Sequence, residues 1–211
     1  MQANVSSVLA GGHQVQSLGS PVNSLAFSKN SEFICAGLGD GITKIWSLQD
    51  KRLVANLTQP VTGRYNSESQ FSPITSISLN NNNQLLASSN QRGIINIYRT
   101  EQFFEDVDQG SEPINIKENY QIQSEQTYQG AINQVQFSYL VKDTLGSVTH
   151  NGAVCLHNVH TKQLLSQFNK HSGYVRGISF SPLNKLLMCS VGLDRQIIFY
   201  DINDKLIVKK I

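Results

Sequence analysis

Four segments of this chain repeat one pattern in one register, and that repetition restricts the fold more than any other feature. "GLGDGITKIWS" (Gly37 to Ser47), "SNQRGIINIYR" (Ser89 to Arg99), "VTHNGAVCLHN" (Val148 to Asn158) and "VGLDRQIIFYD" (Val191 to Asp201) each run a polar turn into an apolar strand ending in a ring: Trp46, Tyr98, His157 and Tyr200. Six residues before the ring stand Asp40, Arg92, Asn151 and Asp194. Upstream of each lies a second apolar element: "VNSLAFS", "ITSISLN", "INQVQFS" and "VRGISFS". The spacings Phe27 to Trp46, Leu79 to Tyr98, Phe137 to His157 and Phe180 to Tyr200 agree to within one residue. Self-similarity of this kind marks a supersecondary unit that buries its faces by stacking on copies of itself.

Within each unit the apolar residues fall at alternate or near-alternate positions, the period of a half-buried strand. Unit one divides into Val22–Phe27, Phe33–Ala36, Thr43–Trp46 and Leu53–Leu57, separated by the turn-rich "SKNSE", "GLGDG" and "SLQDKR". Units three and four divide the same way; in unit two the fourth strand is indistinct, with Tyr120–Gln126 as the stretch able to supply it. The expected organisation is an N-terminal segment 1–21 with an orphan strand at Gln14–Leu18, a unit 22–57, an insertion 58–73, a unit 74–130 that carries a long acidic insertion 100–130, and units 131–168 and 169–211. Four short strands per repeat is the signature of a propeller blade. The fold class is therefore all-β: a propeller with four recognisable blades, in an open or partial ring.

The turn Asp, the ring closing the third strand and "FSP" after the first strand of unit four resemble WD40-repeat β-propellers. In that family a His, a Ser or Thr, the turn Asp and the ring form a hydrogen-bonded structural set. The resemblance assigns these roles to His171, Ser190, Asp194 and Tyr200 in unit four, and to Asp40 and Trp46 in unit one, where Ala36 fills the Ser/Thr position. Arg92 and Asn151 replace the Asp in units two and three, so those turns need other means of support. The stretch from Ala131 to Ile211, with "LGSV", "NG" and "GLDRQIIFYD", is further similar to the WD40 adaptors that target γ-tubulin ring complexes to centrosomes and spindles. That resemblance implies a non-enzymatic scaffold, cytoplasmic and cytoskeletal, whose propeller serves localisation at a centrosome, spindle pole or basal body. It implies as partners the γ-tubulin complex or centrosomal and microtubule-associated proteins. The same family pattern has seven blades and a helical region, so an arc of four exposes apolar faces at its ends and is prone to self-association.

Bulk properties narrow the alternatives. Net charge is +2 and 15% of residues are charged, which favours neither nucleic-acid binding nor a solvated disordered chain. No apolar run is long enough to cross a bilayer. Cys35, Cys155 and Cys189 are widely spaced within apolar strands and read as buried thiols of a reducing compartment. On paper His171, Ser190 and Asp194 are the residue types of a hydrolase triad, but no Gly-x-Ser-x-Gly elbow accompanies them. No Cys-x-x-Cys or His-x-x-x-His pair suggests a metal, and His150, His157 and His160 are a weak group because His157 fills a ring position. No cofactor is expected. Two further readings stay open: another WD40 interaction module, such as a ubiquitin-ligase substrate receptor or ciliary scaffold, and a propeller enzyme with a carboxylate- or metal-lined channel.

The loops between blades and between second and third strands share one rim. That places Arg64, Tyr65, Arg92, Tyr174, Arg176 and Arg195 there as candidate partner-binding residues, beside His171. Arg and Tyr are enriched at protein interfaces. The insertion 100–130 gathers Glu101, Glu105, Asp106, Asp108 and Glu112 around Phe103 and Phe104, and reads either as a mobile loop or as an acidic-aromatic docking segment. Ser72, before Pro73, is a phosphate acceptor if its loop is mobile.

Overall fold

The computed structural model describes residues 19–59, 72–104, 112–116, 120–122 and 130–211. The orphan strand expected at Gln14–Leu18 and most of the insertion 58–73 lie outside them. Blade 1 comprises β1 (Val22–Phe27), β2 (Phe33–Leu38), β3 (Thr43–Ser47) and β4 (Arg52–Leu57). Blade 2 starts with β5 (Ile74–Leu79), β6 (Leu85–Asn90) and β7 (Ile95–Arg99), after which come a single helical turn, α1 (Glu101–Phe104), and two short strands, β8 (Ile114–Ile116) and β9 (Tyr120–Ile122). Blade 3 holds β10 (Ile132–Phe137), β11 (Thr144–Thr149), β12 (Val154–Asn158) and β13 (Gln163–Phe168). Blade 4 holds β14 (Val175–Phe180), β15 (Leu187–Gly192), β16 (Ile197–Asp201) and β17 (Leu206–Lys210).

Each blade is an antiparallel sheet in sequence order, with β9 pairing with β7 as the fourth strand of blade 2. The insertion also does something the sequence did not announce. Its β8 pairs in parallel with β4, at the edge of the neighbouring blade 1. An uncovered strand edge is a template for unwanted pairing, and the chain covers this one with its own segment. Phe104 of the helical turn stacks on Phe33, with ring centroids 4.2 Å apart, and packs against the core of blades 1 and 2. The docking reading of Phe104 is thereby corrected: its ring is spent on the core rather than held out for a partner.

The blades pack through their first strands, β1 on β5, β5 on β10 and β10 on β14. Polar side chains on each first strand tie down the backbone of the next. Asn23 Nδ2 donates to Ile74 O and Ser24 Oγ accepts from Ile77 N. Ser76 and Ser78 accept from Val135 N and Phe137 N. Asn133 Nδ2 donates to Val175 O, and Gln134 Oε1 accepts from Ile178 N. Hydroxyls and amides on these strands are thus inter-blade ties. Between the ties sit the apolar residues at the first, fourth and sixth strand positions. Ile74, Ile77, Ile132, Val135, Phe137, Val175, Ile178 and Phe180 are 0–6% exposed, whereas their counterparts Val22, Leu25 and Phe27 in blade 1 are 44–61% exposed. The same residue types in the same positions are covered wherever a preceding blade stands against them. Among the described residues the arc is open on that side. On blade 4, Leu206, Val208 and Ile211 are likewise exposed.

Close packing between blades depends on small residues at two points. A Cβ on Gly37 would collide with Ile74 Cγ2, and one on Gly146 would fall 2.6 Å from Ile178 Cδ1 and 2.9 Å from the Phe180 ring. Gly37→Ala and Gly146→Ala are each expected to lower stability by about 1–3 kcal/mol, the range for overpacking an interior. Urea unfolding followed by circular dichroism reads this as a lower midpoint; an unchanged midpoint in both variants would mean the blades do not pack this closely.

Candidate functional site

The most highly organised polar cluster is in blade 4. Asp194 lies in the β15–β16 turn, His171 in the loop entering the blade, Ser190 on β15 and Tyr200 on β16. His171 Nδ1 meets both carboxylate oxygens of Asp194 at 2.9 Å, and its Nε2 meets Ser190 Oγ at 2.7 Å. Ser190 Oγ in turn meets Tyr200 Oη at 2.9 Å. One assignment uses every group: Tyr200 donates to Ser190, Ser190 donates to His171 Nε2, and His171 Nδ1–H donates to Asp194. Asp194 also accepts from the backbone N–H of Ser172 and of Gln196. Burial alone would raise the Asp194 pKa, but the hydrogen bonds from His171, Ser172 and Gln196 and the charge attraction of His171 outweigh it and hold the carboxyl below its ordinary value. Gly192 makes room, since a Cβ there would lie 2.8 Å from both Asp194 Oδ1 and His171 Nδ1.

The cluster differs from a hydrolytic triad in access. Ser190 is 1% exposed and its hydroxyl is fixed between His171 and Tyr200. A nucleophile must reach a substrate carbonyl, whereas this one is walled in. The arrangement can lock a turn and join two strands to a loop, and that is the chemistry it offers.

The other blades hold the equivalent turn by different means. In blade 1 Asp40 is exposed and accepts from Ile42 N, while Ser20 Oγ accepts from Asp40 N. Trp46 is half-buried, and Ala36 offers no side-chain acceptor to its indole, so Asp40 and Trp46 are not joined into a four-membered set. In blade 2 the turn acceptor is Asn90, two residues before Arg92, taking N–H bonds from Arg92 and Ile94. Asn90 Nδ2 donates to the buried Gln59, whose own amide donates to Gly41 O and Ser72 O. Neither Gln59 nor Asn90 stood out in the sequence, although Asn followed by a left-handed Gly93 is a recognisable turn signal. Ser72 is itself buried at 3% exposure, which removes it as a phosphate acceptor in this fold. In blade 3 Thr149 Oγ1 accepts from Ala153 N, and the fully buried His157 faces Ser147 at 3.3 Å, as Tyr200 faces Ser190. Burial pushes the His157 pKa down to about 4.

The candidate partner-binding residues fall in several places. Arg64 and Tyr65 lie outside the described residues. Tyr174 stacks on His150 at 3.5 Å yet stays 42% exposed, bridging blades 3 and 4. Arg195 is exposed in the Asp194 turn, and Arg92 is half-buried in the corresponding turn of blade 2. Arg176, expected in a rim loop, is instead the second residue of β14, at the irregularity between Val175 and Gly177. Its position matches that of Asn23 and Asn133, the residues that tie one blade to the next. Among the described residues no group of His, Cys, Asp and Glu could hold a metal ion, and no helix is long and apolar enough to cross a membrane. All three cysteines are free, and burial pushes the Cys35 and Cys155 thiols up to about 12.

Among the described residues, four-stranded blades stacked through their first strands define an open arc of β-propeller blades, and the blade 4 turn Asp tied to a His, a Ser and a ring is similar to the set found in WD40 repeats. The WD domain, G-beta repeat matches residues 7–47 and 162–201. Among curated proteins the chain is similar to Protein NEDD1 of Bos taurus, 41% identical over 80 residues, which is 37% of this chain and 12% of that protein. It is also similar to Protein NEDD1 of Homo sapiens, 27% identical over 183 residues, or 86% of this chain and 24% of that protein. The chain thus spans a quarter or less of the length of these relatives. Among solved structures, a chain of "Crystal Structure of Mitotic Checkpoint Complex" superimposes with a TM-score of 0.72 at 16% identity, covering 95% of this chain and 55% of that one, a likeness of fold.

Proposed function

We propose that this chain is the blade-forming part of a non-enzymatic adaptor that helps target γ-tubulin complexes to centrosomes, spindle poles or basal bodies. The observation that carries the reading is the similarity to NEDD1 along 86% of the chain. The residue pattern from Ala131 to Ile211 is part of the same similarity. A buried Ser190 and a turn-locking Asp194 favour a scaffold over a hydrolase. The working surface is the rim of blade 4, where Tyr174 and Arg195 are exposed beside Arg176. A modest basic rim suits an acidic protein partner. The uncovered Val22, Leu25 and Phe27 face is where further blades, or a second copy, would continue the ring.

The test is charge reversal in cells. Arg176→Glu with Arg195→Glu, in a tagged protein, is expected to lower the pole-to-cytoplasm intensity ratio severalfold while leaving the melting temperature of the purified chain within a few degrees. Lys185→Glu with Lys205→Glu, on the opposite rim of the same blade, carries the same net charge change and should leave the ratio intact. Equal loss from both pairs would attribute the targeting to bulk charge and overturn the rim assignment.

A further inference from the structure

On the rim opposite Tyr174 and Arg195, the turns of three blades enclose an open cleft of about 1040 Å³. It lies between the β5–β6 turn of blade 2 and the β10–β11 turn of blade 3, with Lys29 of blade 1 at one end and His160 and Lys162 of the β12–β13 turn at the other. Its lining includes the apolar Leu85, Phe137 and Val141, of which Phe137 belongs to a core cluster and Leu85 packs against it. Tyr139 and Leu140 also line it, 45 and 46% exposed. Adjacent exposed apolar side chains beside such a lining are a place for one or two apolar side chains of something else.

The rim of the cleft is basic. Four fixed cations line it, Lys29, Arg99, Lys142 and Lys162, against two carboxylates, Glu101 and Asp143. Glu101 is already paired with Arg99 at 3.6 Å. Asn80, Asn81, Asn82 and Gln84 complete the lining, and their amides are spent largely on one another and on the walls: Asn80 Oδ1 accepts from Leu85 N, and Asn82 Nδ2 donates to Gln84 Oε1. The walls are tied to one another: Lys29 Nζ donates to Asn81 Oδ1 at 2.7 Å, Asn81 Nδ2 donates to Tyr139 O at 3.1 Å, and Gln136 Nε2 donates to Tyr139 Oη at 2.9 Å. A chain of bonds across three blades holds the cleft's shape before anything binds, which lowers the ordering cost of binding.

We infer that this cleft docks an acidic protein segment carrying an apolar anchor, with the anchor against Tyr139 and Leu140 and its carboxylates facing Lys142, Lys162 and Lys29. The exposed Tyr139 and Leu140 among the cations favour a peptide with an apolar anchor over a nucleic-acid strand, whose binding rests on phosphate contacts and stacking. This site is separate from the blade 4 rim and does not depend on the targeting function.

The experiment is fluorescence anisotropy on the purified chain with a labelled Glu-Asp-Glu-Leu-Phe-Glu-Asp-Glu peptide, the same peptide with Ser-Ser in place of Leu-Phe, and a single-stranded oligo-dT. The acidic-apolar peptide should bind most tightly, and its affinity should fall as salt rises from about 0.05 to about 0.5 M. Lys142→Glu with Lys162→Glu should weaken it by about tenfold or more, and Leu140→Asp by about fivefold. Lys51→Glu with Lys205→Glu, outside the cleft, should leave it unchanged, and thermal melts confirm that these surface variants fold. No binding at millimolar peptide, equal weakening by the outside pair, indifference to the loss of Leu-Phe, or tighter binding of oligo-dT would each overturn the proposal.

Discussion

Asp194→Ala is expected to lower the unfolding free energy by about 1–3 kcal/mol, the cost of leaving two part-buried donors and one exposed donor without their acceptor. Three donors lose their partner at once: His171 Nδ1–H and the backbone N–H groups of Ser172 and Gln196. Tyr200→Phe removes only the outermost bond, to Ser190, and should cost about 1 kcal/mol. Thermal or urea melts give both values, and the ordering of the two matters more than either figure. Because the folded Asp194 pKa is depressed, its contribution is present above the unfolded value of 3.8 and is lost as pH falls through the lower folded value. A variant that melted like the unmutated chain while losing a measured activity would assign Asp194 to chemistry instead of architecture.

The second large effect is at mildly acidic pH and comes from His157. Its ring is fully buried, with a folded pKa of about 4 against 6.5 in an exposed chain, and desolvation is the cause. Between those values the unfolded chain binds the proton and the folded one does not, so stability falls as pH drops from 6.5 toward 4 and this contribution levels off below. A shift of that size corresponds to about 3 kcal/mol. The loss therefore precedes, on acidification, the one from Asp194. His157→Tyr places at this position the residue that blades 2 and 4 already use, and His157→Gln keeps a neutral polar group. Both should flatten the pH dependence between 6.5 and 4, whatever their effect at neutral pH. If the dependence persisted unchanged in both variants, His157 would not be its source.

The blades were legible because a strand announces itself locally. Alternation within "VRGISFS" and a turn such as "GLDRQ" need no information from elsewhere in the chain. The blade 4 network was legible for the same reason, since His171, Ser190, Asp194 and Tyr200 keep a fixed spacing in one repeat. Contacts between repeats were hidden. Nothing in "INI" at Ile114–Ile116 says that it pairs in parallel with a strand of the preceding blade, because that edge lies more than fifty residues away in sequence. The stacking of Phe104 on Phe33 and the bridging amide of Gln59 have the same long-range origin. Arg176 was assigned to a rim loop although it is the second residue of the "VRGISFS" strand; the sequence does not show that this strand end carries a register irregularity. The basic cleft escaped notice because its lining comes from turns of three blades, each unremarkable alone.

The central claim is that these blades belong to an adaptor of the γ-tubulin-targeting kind. It is tested most directly by tagging the protein at its own locus and imaging it with γ-tubulin through division. The account predicts foci that coincide with γ-tubulin at spindle poles, centrosomes or basal bodies, enriched over the surrounding cytoplasm. A signal that stays diffuse, or forms foci away from γ-tubulin at every stage, would contradict it.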